Sequence, residues 1–235
     1  MSSEHRPLPL FDPRSIPVNS IDTHLSGVSA ESLTPEALRH RFRHPPLWTP
    51  EHSVEKKFGN RSPALAAVLV PLVMRDELSL LLTERGAGLS THSGQIAFPG
   101  GRTDPTDTDA VHTALREAHE EIGLPHSHVE VLGTLPTYVT GTAYIITPVV
   151  ALVRPGFSIL PNPAEVADVF EVPLSYLMSP SNHRHHAFEF DGALREWLSM
   201  PYVGPQLFDE EAAKERFIWG ATAGMLRNLY RFLVA

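Results

Sequence analysis

The sequence predicts an α/β fold in which a mixed sheet carries helices on both sides. Two apolar runs, at residues 64–73 and 78–82, flank a short polar turn and predict two buried strands. An amphipathic helix follows, with Thr108 or Asp109 as its N-cap and Gly123 as its C-cap. Strands before, between and after helices are the pattern typical of such a sheet.

The region before the first strand predicts an extension of the main domain. Residues 1–60 are rich in proline and weakly patterned, and Thr34 followed by Pro35 predicts one short helix within them. At 235 residues the chain is long enough for one well-packed domain with additions and short for two. We therefore expect an N-terminal extension at residues 1–60 and the main domain at residues 61–235.

The remaining elements follow from periodicity and turn residues. A loop containing His92 is expected at residues 86–94, and short or longer strands at 95–98, 129–135 and 144–153. The pair Asp191-Gly192 between alternating segments predicts a hairpin across residues 187–197. Residues 210–234 predict a long amphipathic helix that packs against the sheet.

Composition excludes several classes of protein. The chain has no cysteine, which excludes disulfides, zinc–thiolate sites and thiol catalysis, and which fits a cytoplasmic protein. No apolar run of about 18 residues and no secretory signal are present, so no membrane span is expected. The net charge of −8 argues against a general nucleic-acid binder. An anionic small-molecule substrate would need a locally positive site.

Three glutamates share one flank of the helix that ends at Gly123. Glu117, Glu120 and Glu121 occupy positions i, i+3 and i+4, where their carboxylates repel one another. A protonation shift or a bound cation relieves such repulsion, and the alternative is a solvated acidic helix face. All-oxygen ligands on a rigid helix suit Mg²⁺ or Mn²⁺. The pattern therefore favours a metal site.

The stretch FPGGRTDPTDTDAVHTALREAHEEIGL, at residues 98–124, resembles the Nudix box. That motif is the signature of hydrolases that cleave a nucleoside diphosphate linked to another group. Residues 116–124 match it, with Ala118 as a small choice at its apolar position. Upstream the spacing is one residue longer, with Gly101 as the motif glycine and Asp107 or Asp109 in place of its first glutamate. The resemblance implies a Nudix-type α/β/α sandwich around a mixed sheet.

The resemblance also implies a set of metal ligands. Glu117 and Glu121 match the principal ligands of the family, and Glu120 matches a third acid that ligates metal or activates water. The carbonyl of Gly101 or Gly100 would add a backbone ligand, because glycine allows close approach. Gly100 would also let the substrate approach the backbone.

Two further residues complete the predicted chemistry. Arg116 is expected to orient a carboxylate rather than to touch substrate. Many Nudix proteins use a glutamate from a later loop as a metal ligand or as the base that accepts the proton of water. Glu165 is the candidate here, and the alternative is a loop carboxylate near the surface.

The stretch LLTERGAGLSTHSGQIAFPGG, at residues 81–101, resembles the signature of the coenzyme A-directed Nudix subgroup, and so does the tail FIWGATAGMLRNL. Gly86 stands where serine is usual, and Ser90 where arginine is usual. The resemblance implies hydrolysis of CoA or acyl-CoA to 3′,5′-ADP and phosphopantetheine. Arg85 could then contact a substrate phosphate, although an arginine at a strand end is as often structural. Two alternatives stay open: a Nudix hydrolase of another dinucleoside or sugar-linked diphosphate, and a Nudix-fold binding module without turnover.

A histidine-rich stretch, His183-Arg184-His185-His186, offers a second place for a metal. Alternating histidines on a strand can bind zinc, but the sequence shows no further ligand cluster beside them. We favour a surface stretch or the interface of a homodimer.

Overall fold

The structure is a computed structural model that describes residues 12–58, 62–86, 94–190, 192–206 and 209–235. Ser90 and His92 of the predicted loop, and Asp191 of the predicted hairpin, lie outside the described residues.

Runs of strands separated by single helices make up most of the described chain. The strands are β1 (Ser20–Ile21), β2 (Ala64–Met74), β3 (Leu78–Arg85), β4 (Ile96–Ala97), β5 (Gly100–Arg102), β6 (Val129–Thr134), β7 (Tyr138–Val139), β8 (Tyr144–Val153), β9 (Val166–Pro173), β10 (Arg184–Phe190), β11 (Ala193–Gln206) and β12 (Asp209–Trp219). The helices are α1 (Pro35–Arg43), α2 (Ala110–Ile122), α3 (Leu174–Leu177) and α4 (Gly220–Val234), with short 3₁₀ turns at Pro13–Ser15, Ala30–Leu33, His126–His128 and Pro180–Asn182.

The main sheet is mixed, as the sequence predicts. Strands β2 and β8 run parallel at its centre, from Ala64 opposite Tyr144 to Val73 opposite Val153. Strands β3 and β5 pair antiparallel with β2, β4 and β9 with β3, and β6 and β7 with β8.

Both faces of the main sheet are buried, which explains why its central strands read as continuous apolar runs. Successive side chains point to opposite faces. Leu69 and Val149 pack on the face that α2 covers, and Val70 and Val150 pack on the face that α4 covers. The fold is therefore the predicted α/β/α sandwich around a mixed sheet.

A second sheet was not predicted. It is antiparallel and has the strand order β1-β10-β11-β12. The predicted hairpin at residues 187–197 is confirmed by the pairing of β10 with β11, in which Phe190 lies opposite Ala193. Gly192 adopts the left-handed conformation, with φ +70°, that this tight turn requires.

The prediction of one helix across residues 210–234 is wrong in its first half. Residues from Asp209 onward form β12, and α4 begins only at Gly220, with φ +60°. Strand β12 pairs with β11 from Gln206 opposite Asp209 to Ser199 opposite Trp219. This pairing outweighs the helix propensity of the charged segment, and the residues Phe217, Ile218 and Trp219 suit a pleated, buried surface. The helical half does pack on the sheet, through Met225, Leu229 and Phe232.

The extension before β2 contacts both sheets and α4. Thr34 caps α1 by accepting a hydrogen bond from the N–H of Ala37 at 3.2 Å. Val54 forms a parallel bridge with Val139, which adds a strand-like segment beside β7. The described part of the extension therefore belongs to the same packed unit.

The prediction of a surface or interface role for residues 183–186 is wrong for two of the histidines. His183 and His186 are buried. His183 donates from Nε2 to the carbonyl of Leu177 at 2.8 Å, and its Nδ1 accepts from Arg227 at 3.0 Å. His186 stacks on Trp197 and bonds Ser199 at 2.8 Å. Strand β10 lies within the second sheet, so these rings are packed inside the protomer and cannot serve a homodimer contact.

Within the described ranges, no helix is long and apolar enough to cross a membrane.

Candidate active site

Helix α2 carries the acidic residues and has well-formed ends. Asp109 is its N-cap and accepts a hydrogen bond from the N–H of His112 at 2.8 Å. Gly123 ends the helix in the left-handed conformation, with φ +70°. The apolar stripe packs on one face of the main sheet through Ala114, Ala118 and Ile122. The glutamates on its flank are thereby turned toward β5.

The glycine pair of β5 lies directly against two of these glutamates. The N–H of Gly100 donates to Oε2 of Glu121 at 3.1 Å. A Cβ atom at Gly101 would stand 2.5 Å from the carboxyl carbon of Glu117, well inside van der Waals contact. A Cβ atom at Gly100 would come 2.5 Å from the carbonyl oxygen of Ala67. Gly101 therefore allows α2 to approach β5 this closely, and Gly100 allows β5 to approach β2.

Of the two candidates for the first acid of the motif, Asp107 pairs with Arg116 and Asp109 caps the helix. Arg116 forms a two-pronged ion pair with Asp107, at 3.0 Å from Nε to Oδ1 and 2.9 Å from Nη2 to Oδ2. Thr113 and the N–H of Asp104 donate to the same carboxylate, each at 2.9 Å. The Arg116 guanidinium, with these donors, holds the pKa of Asp107 well below its usual range. Asp107 in turn fixes Arg116.

Arg116 also holds two of the three glutamates on the helix. Its Nη1 lies 2.9 Å from Glu117 and 3.0 Å from Glu120. The predicted orienting role of Arg116 is consistent with this geometry, because its guanidinium contacts three carboxylates of the same chain: Asp107, Glu117 and Glu120.

Two glutamates of the site are largely withdrawn from water. Burial raises the pKa of Glu121 to about 7, although the Gly100 N–H and the charge of Arg85 oppose that rise. Burial also raises the pKa of Glu117, partly offset by Arg116. The charge of Glu165 raises both values further. The site therefore gathers more negative charge than its own cations neutralise, which favours a bound cation.

The donor set fits a hard divalent cation, although the side chains are not arranged around one. Across the part of the chain that the structure describes, no three acidic or histidine side chains lie close enough together to share an ion. Arg116 draws Glu117 and Glu120 to itself, and Glu121 turns to the N–H of Gly100. The donors are nevertheless all carboxylate and carbonyl oxygens, the type that Mg²⁺ and Mn²⁺ prefer.

Arg85 stands at the rim of the acidic group. Its Nη1 lies 4.0 Å from Oε1 of Glu121, and its Nε is buried without a hydrogen-bond partner among the described residues. A register shift in the β3–β9 pairing falls between Glu84 and Arg85, at the last residue of β3.

Glu165 reaches the site on a loop that is fastened to the C-terminal end of α2. The N–H of Leu160 donates to the carbonyl of Ile122 at 2.9 Å, and that of Asn162 to the carbonyl of Glu121 at 2.8 Å. The N–H of Gly86 donates to the carbonyl of Glu165 at 2.8 Å. Glu165 is half-buried there, rather than an acid on the open surface.

The structure brings all the predicted site residues into one region. They come from four places in the chain: Arg85 from the end of β3, Gly100 and Gly101 from β5, Arg116, Glu117, Glu120 and Glu121 from α2, and Glu165 from the loop before β9. Sequence reasoning missed Asn162, which bonds Oε1 of Glu165 through Nδ2 at 3.1 Å. The turn signal Pro161-Asn162-Pro163 marked its position but not its contact.

Comparison with known proteins shows a family match that covers more than half of the chain. The family model described as NUDIX domain matches residues 63–200. An uncharacterized Nudix hydrolase named NudL, from Photorhabdus laumondii, is 42% identical over 164 residues, which are 70% of this chain and 82% of that protein. The NudL protein of Escherichia coli strain K12, also uncharacterized, is 41% identical over 167 residues, 70% of this chain and 80% of that protein.

Solved structures resemble the chain more distantly. A Caenorhabditis elegans Ap4A hydrolase in a binary complex aligns with a TM-score of 0.40 and 20% identity, over 47% of this chain and 80% of that chain.

Proposed function

This chain belongs to the Nudix hydrolase family and acts on a nucleoside diphosphate derivative, and we propose that its substrate is CoA or acyl-CoA. The products would be 3′,5′-ADP and phosphopantetheine or its acyl form. The residues at 81–101 that resemble the coenzyme A-directed subgroup support this choice of substrate.

The observation that carries the proposal is the position of Arg85. It is the arginine of the stretch LLTER, and its guanidinium lies beside Glu121 with a buried Nε that has no partner among the described residues. The side chain is 31% exposed, so its Nη groups can donate to a phosphate of the substrate, because guanidinium groups bind phosphate oxygens in pairs.

The proposed metal ligands are Glu117 and Glu121, with Glu120 as a third carboxylate and the carbonyl of Gly101 as a backbone donor. Bound Mg²⁺ or Mn²⁺ would supply positive charge against the diphosphate oxygens. Arg116 would then keep Asp107 as its fixed partner while it releases Glu117.

Hydrolysis adds water across the diphosphate. A bond forms from the water oxygen to one phosphorus atom, the bridging P–O bond breaks, and the leaving phosphate takes the electron pair. In the proposed mechanism Glu165 accepts the proton of that water, a contribution typically worth about 10²–10⁴ in rate. Arg85 binds a substrate phosphate, and Gly100 leaves room for it beside the backbone.

A panel of diphosphates tests the choice of substrate. With Mg²⁺ or Mn²⁺ present, we expect CoA and acyl-CoA to yield 3′,5′-ADP by chromatography. We expect an ADP-sugar and a dinucleoside polyphosphate to react at least about tenfold more slowly in kcat/KM, which corresponds to about 1.4 kcal/mol. Arg85→Lys, which keeps the charge but loses the paired donors, should raise KM for CoA more than it lowers kcat.

Other outcomes would point to other functions. Faster turnover of an ADP-sugar or a dinucleotide would contradict the CoA assignment and leave the hydrolase in place, and the glycine at position 86 and the serine at position 90 favour this second candidate. Binding of these ligands without turnover of any of them would indicate a Nudix-fold binding module.

The domain boundaries, the cellular location and the type of partner are proposed from the sequence and its composition. Residues 61–235 would form the hydrolase domain, and residues 1–60 its extension. The absence of cysteine supports a cytoplasmic location, and the net charge of −8 argues against nucleic acid as a partner.

A further inference from the structure

Asn162 forms hydrogen bonds with two acidic residues of the candidate active site, Glu121 and Glu165. Its backbone N–H donates to the carbonyl of Glu121, a candidate metal ligand, at 2.8 Å. Its side-chain Nδ2 donates to Oε1 of Glu165, the candidate base, at 3.1 Å. One residue therefore contacts the backbone of the first acid and the carboxylate of the second.

The orientation of the Asn162 amide is determined by its partners. Oδ1 accepts a hydrogen bond from the N–H of Ala164 at 3.1 Å, and a backbone N–H can only donate. The backbone carbonyl of Asn162 is a separate acceptor, which takes hydrogen bonds from the N–H groups of Glu165 at 3.0 Å and Val166 at 2.9 Å. Nδ2 is consequently the end that faces the Glu165 carboxylate.

We propose that Asn162 is a positioning residue for hydrolysis, which holds the Glu165 carboxylate by one oxygen at a fixed place relative to Glu121. The other oxygen of Glu165 is left to accept the proton of water. This inference rests on the proposed role of Glu165 as the base.

An amide suits this task better than a charged donor. Glu165 lies in a region that already holds the negative charges of Glu117 and Glu121. A lysine or arginine bonded to Glu165 would neutralise it and oppose its uptake of a proton. A neutral N–H donor fixes the carboxylate and leaves its charge available.

The simpler explanation of Asn162 is that it only builds the turn. An Asx turn needs the contact between Oδ1 and the N–H of Ala164, which an aspartate would make equally well. The bond from Nδ2 to Glu165 is additional to that turn. The two explanations therefore differ in what they predict for Asn162→Asp and Asn162→Ala.

The test compares these two variants on the diphosphate that the wild-type enzyme turns over fastest. Asn162→Asp keeps the turn and loses the donor, so we expect kcat to fall about 10–100-fold, at least as far as in Asn162→Ala, with KM changed less than kcat. Full activity in Asn162→Asp together with a loss in Asn162→Ala would overturn the positioning role and leave only the turn.

A double-variant cycle with Glu165→Gln tests whether Asn162 acts through Glu165. In the Glu165→Gln background, Asn162→Asp should cause little further loss of kcat, and a full multiplicative loss would contradict the inference. If Glu165→Gln alone kept full activity, both the base and its positioning residue would be excluded, while the hydrolysis itself would stand.

A matched control separates positioning from stability. Asn182 donates through Nδ2 to the carbonyl of Tyr176 at 2.8 Å, away from the site. Asn182→Asp should leave kcat unchanged, whatever it does to thermal unfolding. A loss of kcat in Asn162→Asp that simply followed its Tm, as in a destabilised protein, would also overturn the inference.

Discussion

At Gly101 the active site depends on the absence of a side chain. A Cβ atom there would lie 2.5–2.6 Å from all three atoms of the Glu117 carboxyl group. We expect Gly101→Ala to displace that carboxylate and to weaken activation by Mn²⁺ at least about tenfold, as loss of ligand positioning typically does. Titration of turnover and of heat release with Mn²⁺ would measure the change.

Gly27→Ala is the control for this substitution. The nearest atom to a Cβ there is the carbonyl oxygen of Met178 at 3.6 Å, an ordinary van der Waals contact. Its metal activation should match the wild type. Equal activation of Gly101→Ala and the wild type would show that Glu117 is not held against β5 when metal binds.

Glu121 is a buried acid whose charge is costly without a cation. Glutamine has the same shape and can still accept the hydrogen bond from Gly100. We therefore expect Glu121→Gln to keep the fold, to lose nearly all turnover, and to show no rise in Tm when Mn²⁺ is added, whereas the wild type does. Glu215→Gln, at an exposed position on β12, should behave as the wild type. Retention of most activity in Glu121→Gln would remove Glu121 from the ligand set.

At the scale of elements, β12 is joined to the main sheet by charged side chains. Glu84 on β3 lies directly opposite Asp168 on β9, an arrangement that is repulsive by itself. Arg216 on β12 bonds Asp168 at 2.9 Å, and Lys214 bonds Glu84 and lies 3.7 Å from Asp168. The two cations stabilise the strand ends that lead to Arg85 and Glu165.

Burial decides which of these two cations matters more for stability. The Arg216 side chain is fully buried, with its guanidinium 4.2 Å above the ring of Phe170, whereas Lys214 is 39% exposed. Arg216→Met should lower the free energy of unfolding by about 3–5 kcal/mol, because it leaves Asp168 without its closest partner. Lys214→Met should cost about 1 kcal/mol or less. Urea unfolding would measure both, and similar costs for the two would contradict this ranking.

Across the whole molecule, one buried network ties the extension to the last helix. Arg227 on α4 bonds Asp22 and Glu51 of the extension, each at 2.9 Å, and donates to His183 at 3.0 Å. Asn228 beside it accepts from the N–H groups of Glu51 and His52. Arg227 and Asn228 therefore attach the N-terminal extension to the C-terminal helix.

This network makes stability depend on pH through His183. Burial lowers the pKa of His183 from 6.5 to about 4. Between those values the unfolded chain binds a proton at this residue that the folded protein does not, so the contribution of His183 to stability falls as pH drops from about 6.5 to 4. Glu121 acts in the opposite direction, because its pKa of about 7 favours the folded state as pH drops toward 4.5. Urea unfolding of the wild type and of His183→Gln at pH 7 and pH 4.5 isolates the histidine, and His183→Gln should gain stability relative to the wild type by no more than about 3 kcal/mol at the lower pH.

Two other titratable residues, His24 and Glu51, separate the effect of His183 from that of its neighbours. Exposed His24 serves as the control, since His24→Gln should retain the wild-type pH dependence. His52, whose Nε2 lies 3.5 Å from Glu51, and Arg227 lower the pKa of Glu51 to about 2, so Glu51 loses its contribution only as pH falls below its ordinary value of 4.5. An unchanged slope between pH 7 and pH 4.5 in His183→Gln would exclude His183 as the cause.

Structural features that depend on residues close together in the chain could be predicted from the sequence. The caps of α2, its acidic flank, the buried apolar strands and the hairpin at Gly192 all follow from spacing within a few residues, because helix and strand periods are local properties. The motif spacing also left only Asp107 and Asp109 as its first acid.

Contacts between distant segments required the folded chain. Residues 209–219 have a helical composition and became a strand because β11 offered them backbone partners. The pairing of Asp107 with Arg116, the burial of His183 and His186, and the bond from Asn162 to Glu165 likewise depend on which elements pack together. Such contacts are set by the burial and pairing energies of the whole fold, which outweigh local preferences that differ by only about 1 kcal/mol per residue.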